Sequence, residues 1–181
     1  MQNFLKSRFL LLINIFTFHL LFSEELPIGL TTQEKNNIHI IYEMGRDTDP
    51  PIGPIRNIAE YERMSGVLIR YPFGISLDII RELSEDIIIY CLVSSSSQNA
   101  ASNSMISGNV NMGNVEFVTG STDSYWTRDY GPWWVVDGDR NMSIVDFTYN
   151  RPRPNDNLAP FKMSEFLNVP YYSVDIVHCG G

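Results

Sequence analysis

From Pro54 onward, short apolar blocks recur between polar or Gly/Pro-containing breaks, the spacing expected of strands alternating with short helices. Residues 66–71 read as a strand closed by Pro72-Phe73-Gly74, and Ser76 is placed to cap a helix over residues 77–84, with Leu77, Ile80 and Leu83 on one face. Residues 86–93 contain the run IIIYCLV, near-continuous apolar sequence of the kind found in a strand covered on both sides. SSSSQNAASNSMISG predicts a polar loop passing into a short helix, and residues 115–118 another strand. Further on, residues 132–137 and 143–147 flank Gly138-Asp139-Arg140-Asn141 as a hairpin. Residues 159–167 read as a helix that can pack Phe161, Phe166 and Leu167, and residues 171–177 as a last strand. The class is mixed α/β, with no repeat visible by identity. Residues 24–53 are polar and contain Asp47-Thr48-Asp49-Pro50-Pro51, which predicts an N-terminal extension of loop and extended chain.

The first 23 residues break this pattern. Lys6 and Arg8 precede an apolar run over residues 9–22, interrupted by Asn14, Thr17 and His19. The run suits a secretory signal peptide better than a membrane span, which needs about 20 apolar residues. Cleavage is expected near Ser23. Leu21 stands where a small residue is usual, so an uncleaved anchor stays open. Either way the protein is expected to be secreted, at the cell surface or periplasmic.

Charge and cysteine usage narrow the chemistry. The formal net charge is −8, and becomes −10 once Lys6 and Arg8 leave with the signal peptide. An acidic surface argues against nucleic acid and anionic membrane as partners. It suits a cationic substrate, though steering is screened beyond about 8 Å at physiological salt. Two cysteines, Cys91 and Cys179, make no disulfide framework. Cys91 lies in a core strand pattern. Cys179 follows His178, but neighbours on a strand face opposite ways, so no nucleophile–base pair is read there. His39 and His178 are far apart in sequence, and no metal-ligand spacing occurs.

Residues 126–156, WTRDYGPWWVVDGDRNMSIVDFTYNRPRPND, concentrate the remaining chemistry. Gly131-Pro132 breaks regular structure behind Asp129, which places its carboxylate on a turn entering the next strand. Beside Trp126, that carboxylate can accept the fork of N–H donors of a guanidinium while the ring covers the cation's plane. Asp129 can equally be a turn residue paired with Arg128. Arg151 and Arg153 alternate with Pro152 and Pro154, each of which keeps the preceding residue out of the helical region. On an extended segment they would face the same way and could clamp one carboxylate, or form a solvated basic turn. Of Trp133 and Trp134, one is expected to face the core and the other outward.

WTRDYGPWWV followed by IVDFTYNRPRPND resembles the Porphyromonas-type peptidylarginine deiminase family, relatives of the agmatine deiminases among the guanidino-group-modifying enzymes. The resemblance extends upstream through Glu60-Tyr61-Glu62, residues 66–72 and residues 109–115. It implies a five-bladed ααβ-propeller (pentein), of which this chain would hold the N-terminal part, residues 54–181 being an incomplete catalytic domain. It further implies that Asp129 is the guanidinium-binding catalytic aspartate, that Trp126 belongs to the guanidino site, and that Arg151 and Arg153 bind the carboxylate of a C-terminal arginine. The chemistry it implies uses no metal or organic cofactor: a cysteine thiolate attacks the guanidinium carbon, ammonia leaves with a proton from histidine, and water releases the ureido product. In the family, His-Asp and the later nucleophilic cysteine follow the Gly-Gly that ends this sequence, so His178 and Cys179 are assigned neither role. The expected function is protein-arginine deiminase, with arginine-containing peptides as partners. The alternatives are a secreted, non-catalytic arginine-peptide-binding module and an agmatine deiminase, which two arginines and a signal peptide disfavour.

Overall fold

The computed structural model describes residues 29–179, so the expected signal peptide over residues 1–23 lies outside the described residues. The chain begins with α1 (Thr32–Asn36), α2 (Ile40–Glu43) and β1 (Ile55–Asn57), followed by β2 (Gly66–Arg70), α3 (Leu77–Asp86) and β3 (Ile88–Val93). Next come α4 (Gln98–Ser107), β4 (Val115–Thr119), α5 (Thr127–Tyr130), β5 (Trp133–Asp137) and β6 (Met142–Tyr149). The last elements are α6 (Pro154–Asn157), α7 (Ala159–Leu167) and β7 (Tyr171–His178).

The strands form two sheets. One is parallel throughout, in the order β2-β3-β4, with α3 and α4 as crossovers. Ser76 accepts a hydrogen bond from the Ile79 amide at 3.4 Å and starts α3 where the pattern predicted. β3 explains its own unbroken apolar run. Ile89, Cys91 and Val93 belong to one core cluster with Ile80, Ala101 and Met105 from α3 and α4. Leu92, on the opposite face, joins a second cluster with Val118, Tyr130, Ile144, Tyr149 and Met163. A strand covered on both faces has no position left for a polar residue.

The second sheet has the order β1-β5-β6-β7. β5 and β6 are the expected antiparallel hairpin, and β7 runs parallel to β6 after the α7 crossover. In the hairpin connection Asp137 accepts from the amides of Asp139 and Asn141 at 2.9 and 2.8 Å, and the positive φ falls on Arg140, at 67°. The second core cluster draws on both sheets and so fastens them together.

One expectation changes. Residues 32–36 and 40–43 are helical where composition pointed to loop and extended chain. The reason is local: Thr31 and Glu34 form a capping box, each side chain bonding the other's amide, at 2.7 and 3.1 Å. This segment is also anchored on the fold. Ile41 and Met44 are buried, and Thr48 exchanges hydrogen bonds with Ser173 of β7. The described residues form two open sheets and no closed barrel.

Candidate functional site

Asp129 lies within the single helical turn of α5, which leads through Gly131 and Pro132 into β5. Its amide bonds the Trp126 carbonyl at 2.9 Å, and Gly131 then ends the turn. A Cβ on Gly131 would sit 2.4 Å from the Thr127 carbonyl oxygen, so a side chain is excluded there. So short a helix cannot hold itself in place. It is held by Asp156, which is fully buried on α6 and accepts from the amides of Asp123 and Ser124 at 2.6 and 3.1 Å and from the Ser124 hydroxyl at 2.6 Å. The Ser124 carbonyl in turn accepts from the Tyr130 hydroxyl at 2.9 Å. Burial pushes Asp156 up to about 6, the hydrogen bonds from Ser124 and Asp123 pulling it back only in part.

Above this anchor is a shallow depression lined by Asp129, Tyr130, Gly131, Trp133, Asp146, Phe147, Tyr149 and His178. Its aromatic wall comes from the sheet. Trp133 stands edge-to-face with Phe147 (5.8 Å between centroids) and with His178 (5.2 Å), and Phe147 and His178 lie 5.1 Å apart. Among the described residues the Asp129 carboxylate has no hydrogen-bond or ion-pair partner. Burial raises its pKa above the ordinary aspartate value, opposed by the charges of Arg151, Arg153 and Arg128 in that order. Asp146, on the same wall, is pushed up to about 6 by burial, against a 2.5 Å hydrogen bond from the Tyr171 hydroxyl and the charge of Arg46. Tyr149 is pushed up to about 12, again by burial first, with Arg153 drawing it down and Asp129 and Asp156 driving it up.

The sequence-predicted residues are only partly brought together. Asp129, Arg151 and Arg153 share one electrostatic neighbourhood. Arg128, the alternative partner for Asp129, pairs instead with Glu60. Arg151 and Arg153 do not lie on an extended segment. The Arg153 amide donates to the Arg151 carbonyl at 2.7 Å, which closes a tight turn around Pro152 and separates the two side chains in environment. Arg151 is half-buried, whereas the Arg153 side chain is 6% exposed and donates through Nε to Glu34 Oε1 at 2.6 Å. Trp126 is not on the depression. It lies 4.8 Å from the Tyr125 ring and packs against the second core cluster. Trp133 supplies the aromatic surface beside Asp129, and Trp134 is the core-facing neighbour, as alternation requires.

Sequence reasoning missed Trp133, Phe147, His178, Asp156 and Glu34. The first two stand on β5 and β6 in alternation with core residues, a signal present in the strand pattern but without a direction. Asp156 lay inside the family-like stretch, yet a buried anchor and a surface turn acid look alike in sequence. Glu34 is 119 residues from Arg153, and no local signal joins them.

The model of the Porphyromonas-type peptidyl-arginine deiminase family matches residues 74–181, and the chain belongs to that family. Its α/β fold is similar to those of solved deiminases. Agmatine deiminase of Enterococcus faecalis matches with a TM-score of 0.59 at 20% identity, over 70% of this chain and 40% of that one. C. jejuni agmatine deiminase matches with a TM-score of 0.57 at 21% identity, over 70% and 41%. A Porphyromonas gingivalis protein provisionally assigned as an arginine deiminase matches with a TM-score of 0.54 at 13% identity, over 70% and 42%. The chain thus spans about two fifths of the length of these structures. Deiminases are hydrolases of C–N bonds, and that is the enzyme class of the family.

Proposed function

We propose that this chain forms the guanidinium-binding part of a secreted protein-arginine deiminase, acting on peptides that end in arginine. The observation that carries the reading is the Asp129 carboxylate, unpartnered among the described residues, set in a depression walled by Trp133 and Phe147 and pulled on by Arg151 and Arg153. An anion left without a partner beside ring faces fits a planar, weakly hydrated cation. The guanidinium enters against Asp129, and a carboxylate on the same residue meets the arginine side of the site. Holding the cation fixes the carbon that a thiolate attacks, so Asp129 acts by orientation and by charge. In this reading the five-bladed propeller is the complete enzyme's fold, and no residue of this chain is assigned as nucleophile.

A second reading, an agmatine deiminase, is favoured by one observation: Arg153 is already neutralised by Glu34, which leaves less charge for a substrate carboxylate. Titrating the full chain with an arginine-terminated peptide, its C-terminal amide and agmatine separates the two. A preference of about tenfold or more for the free acid supports peptidyl-arginine, since charge-assisted hydrogen bonds contribute on the order of 1.5–3 kcal/mol each. Equal affinities support a carboxylate-free guanidine. Asp129→Asn is expected to weaken all three ligands by about a hundredfold, and unchanged binding would remove the guanidinium reading altogether. Ammonia release from arginine substrates is expected to be absent in the chain by itself. Turnover that vanishes in Cys179→Ala would overturn that expectation.

A further inference from the structure

Arg153 presents a problem that its own turn does not solve. Arg153 starts α6, which packs against the α5 turn that carries Asp129, and its charge acts on that carboxylate after that of Arg151; released, it would compete there with a substrate cation. The partner it has instead comes from the other end of the chain. Glu34 Oε1 accepts from Arg153 Nε at 2.6 Å, with the two side chains 12% and 6% exposed. The carboxylate is itself fixed, because Oε2 accepts from the Thr31 amide at 2.7 Å while the Glu34 amide donates to Thr31 Oγ1 at 3.1 Å. Burial raises the Glu34 pKa, but the bonds from Thr31 and Arg153 outweigh it and hold the group below the ordinary glutamate value, so it stays charged. The segment that carries it is tied down again by Asn157 Nδ2 to the Met44 carbonyl (3.3 Å), in the same α6 that holds Asp156.

We propose that Glu34 is a positioning residue that insulates Asp129: by holding Arg153 through Nε, it keeps this arginine from closing on the guanidinium-binding carboxylate. The role rests on the reading of Asp129 given above. It assigns function to an N-terminal segment that composition presents as a loop. A buried cation that loses its partner is strongly destabilising where it stands, which favours any position that offers it another carboxylate. Asp129 is an unpartnered carboxylate among the described residues, and Arg153 already acts on it. Glu34→Gln therefore releases Arg153 onto Asp129, and removing Arg153 as well empties the site again. A residue that merely supported the fold would show no such recovery.

The test is calorimetric titration of the full chain with N-acetyl-arginine amide, a guanidinium that has no carboxylate. Glu34→Gln is expected to weaken binding about tenfold or more, and Glu34→Gln with Arg153→Gln to restore it to within about threefold of the unmutated protein. Should Glu34→Gln not fold, Glu34→Asp keeps the charge but draws it back by one methylene, and is paired with Arg153→Gln in the same way. NMR titration of the Asp129 carboxyl supplies a readout that needs no ligand. Its pKa should fall in Glu34→Gln, as an arginine closes on it, and return in the double variant. Unchanged binding and titration in Glu34→Gln, or a double variant as weak as the single one, overturns the inference while leaving Asp129 in its role. No binding by the unmutated protein overturns the guanidinium reading itself, and the titration then decides alone whether Glu34 restrains Arg153.

Discussion

The parallel sheet and the mixed sheet are built from the same kinds of element, yet they bury different things. Around β2, β3 and β4 the core cluster is Ile69, Ile80, Ile89, Cys91, Val93, Ala101, Met105 and Val110, with no charge among them. The region of β6, α6 and β7 buries Asp146, Thr148, Arg153, Asp156, Asn157 and Ser173. Burying apolar area stabilises a fold, whereas a buried carboxylate destabilises it unless donors surround it. The first sheet is thus a support, and the second sacrifices some stability to hold charged groups at fixed positions. That a depression with an unpartnered carboxylate lies on the second is consistent with this division.

Truncating the support should give the largest change in stability. Ile89→Ala, at a fully buried position on β3, is expected to cost about 2–5 kcal/mol in urea unfolding. The protein that remains folded should bind guanidinium ligands as before, and a matching loss of affinity would erase the distinction between the two sheets.

On the polar side, Asp156→Ala leaves the donors of Asp123 and Ser124 without their acceptor and is expected to cost about 3 kcal/mol. Unlike Ile89→Ala it should also abolish ligand binding, because α5 loses its anchor. Asp156→Asn keeps an acceptor and removes a charge that burial disfavours, so its cost should be about 1 kcal/mol or less. If the alanine variant binds normally, Asp156 is an ordinary buried acid.

Acid should separate the two regions more gently. Asp146 and Asp156 are both raised to about 6, above their unfolded value, so the folded protein holds protons that the unfolded chain releases. Their burial destabilises above pH 6 and is relieved as pH falls from 6 towards 4. Glu34, and Glu62 at about 2, are lowered, so what they contribute is lost as pH drops below the ordinary glutamate value. The melting temperature should therefore peak near pH 4, fall by on the order of 5 °C as pH rises to about 6, and level off above that. Asp146→Asn should flatten that fall, and a melting temperature that climbs steadily to pH 8 would contradict both assignments.

The smallest effect concerns the cysteines. Cys91 is fully buried and its thiol is pushed up to about 12, so iodoacetamide should leave it untouched in the native protein while alkylating the exposed Cys179. Mass spectrometry of the labelled peptides checks this, and modification of Cys91 under native conditions would show that the first core opens.

The elements themselves were legible because their causes are local. Ser76 marks the start of α3, the run at 88–93 marks a strand covered on both faces, and residues 159–167 show the bounds of α7 as they stand. Asp129, Arg151 and Arg153 were legible as a cluster, since 126–156 brings them together in one stretch. The N-terminal helices were not. A capping box of two residues competes poorly with a polar composition until Ile41 and Met44 find the core.

Residue order alone thus determined the alternation of strands and helices, the hairpin, the inert setting of Cys91 and the acid that faces the depression. Which tryptophan stands beside that acid was decided only in three dimensions, because alternation places Trp133 and Trp134 on opposite faces without saying which face carries the site. The different situations of Arg151 and Arg153 were decided there too. Two residues apart around Pro152, they are equivalent in sequence, and it is Glu34, brought from 119 residues away, that buries and neutralises one of them. Contacts across such a separation depend on the whole chain having folded, and so no window of sequence contains them.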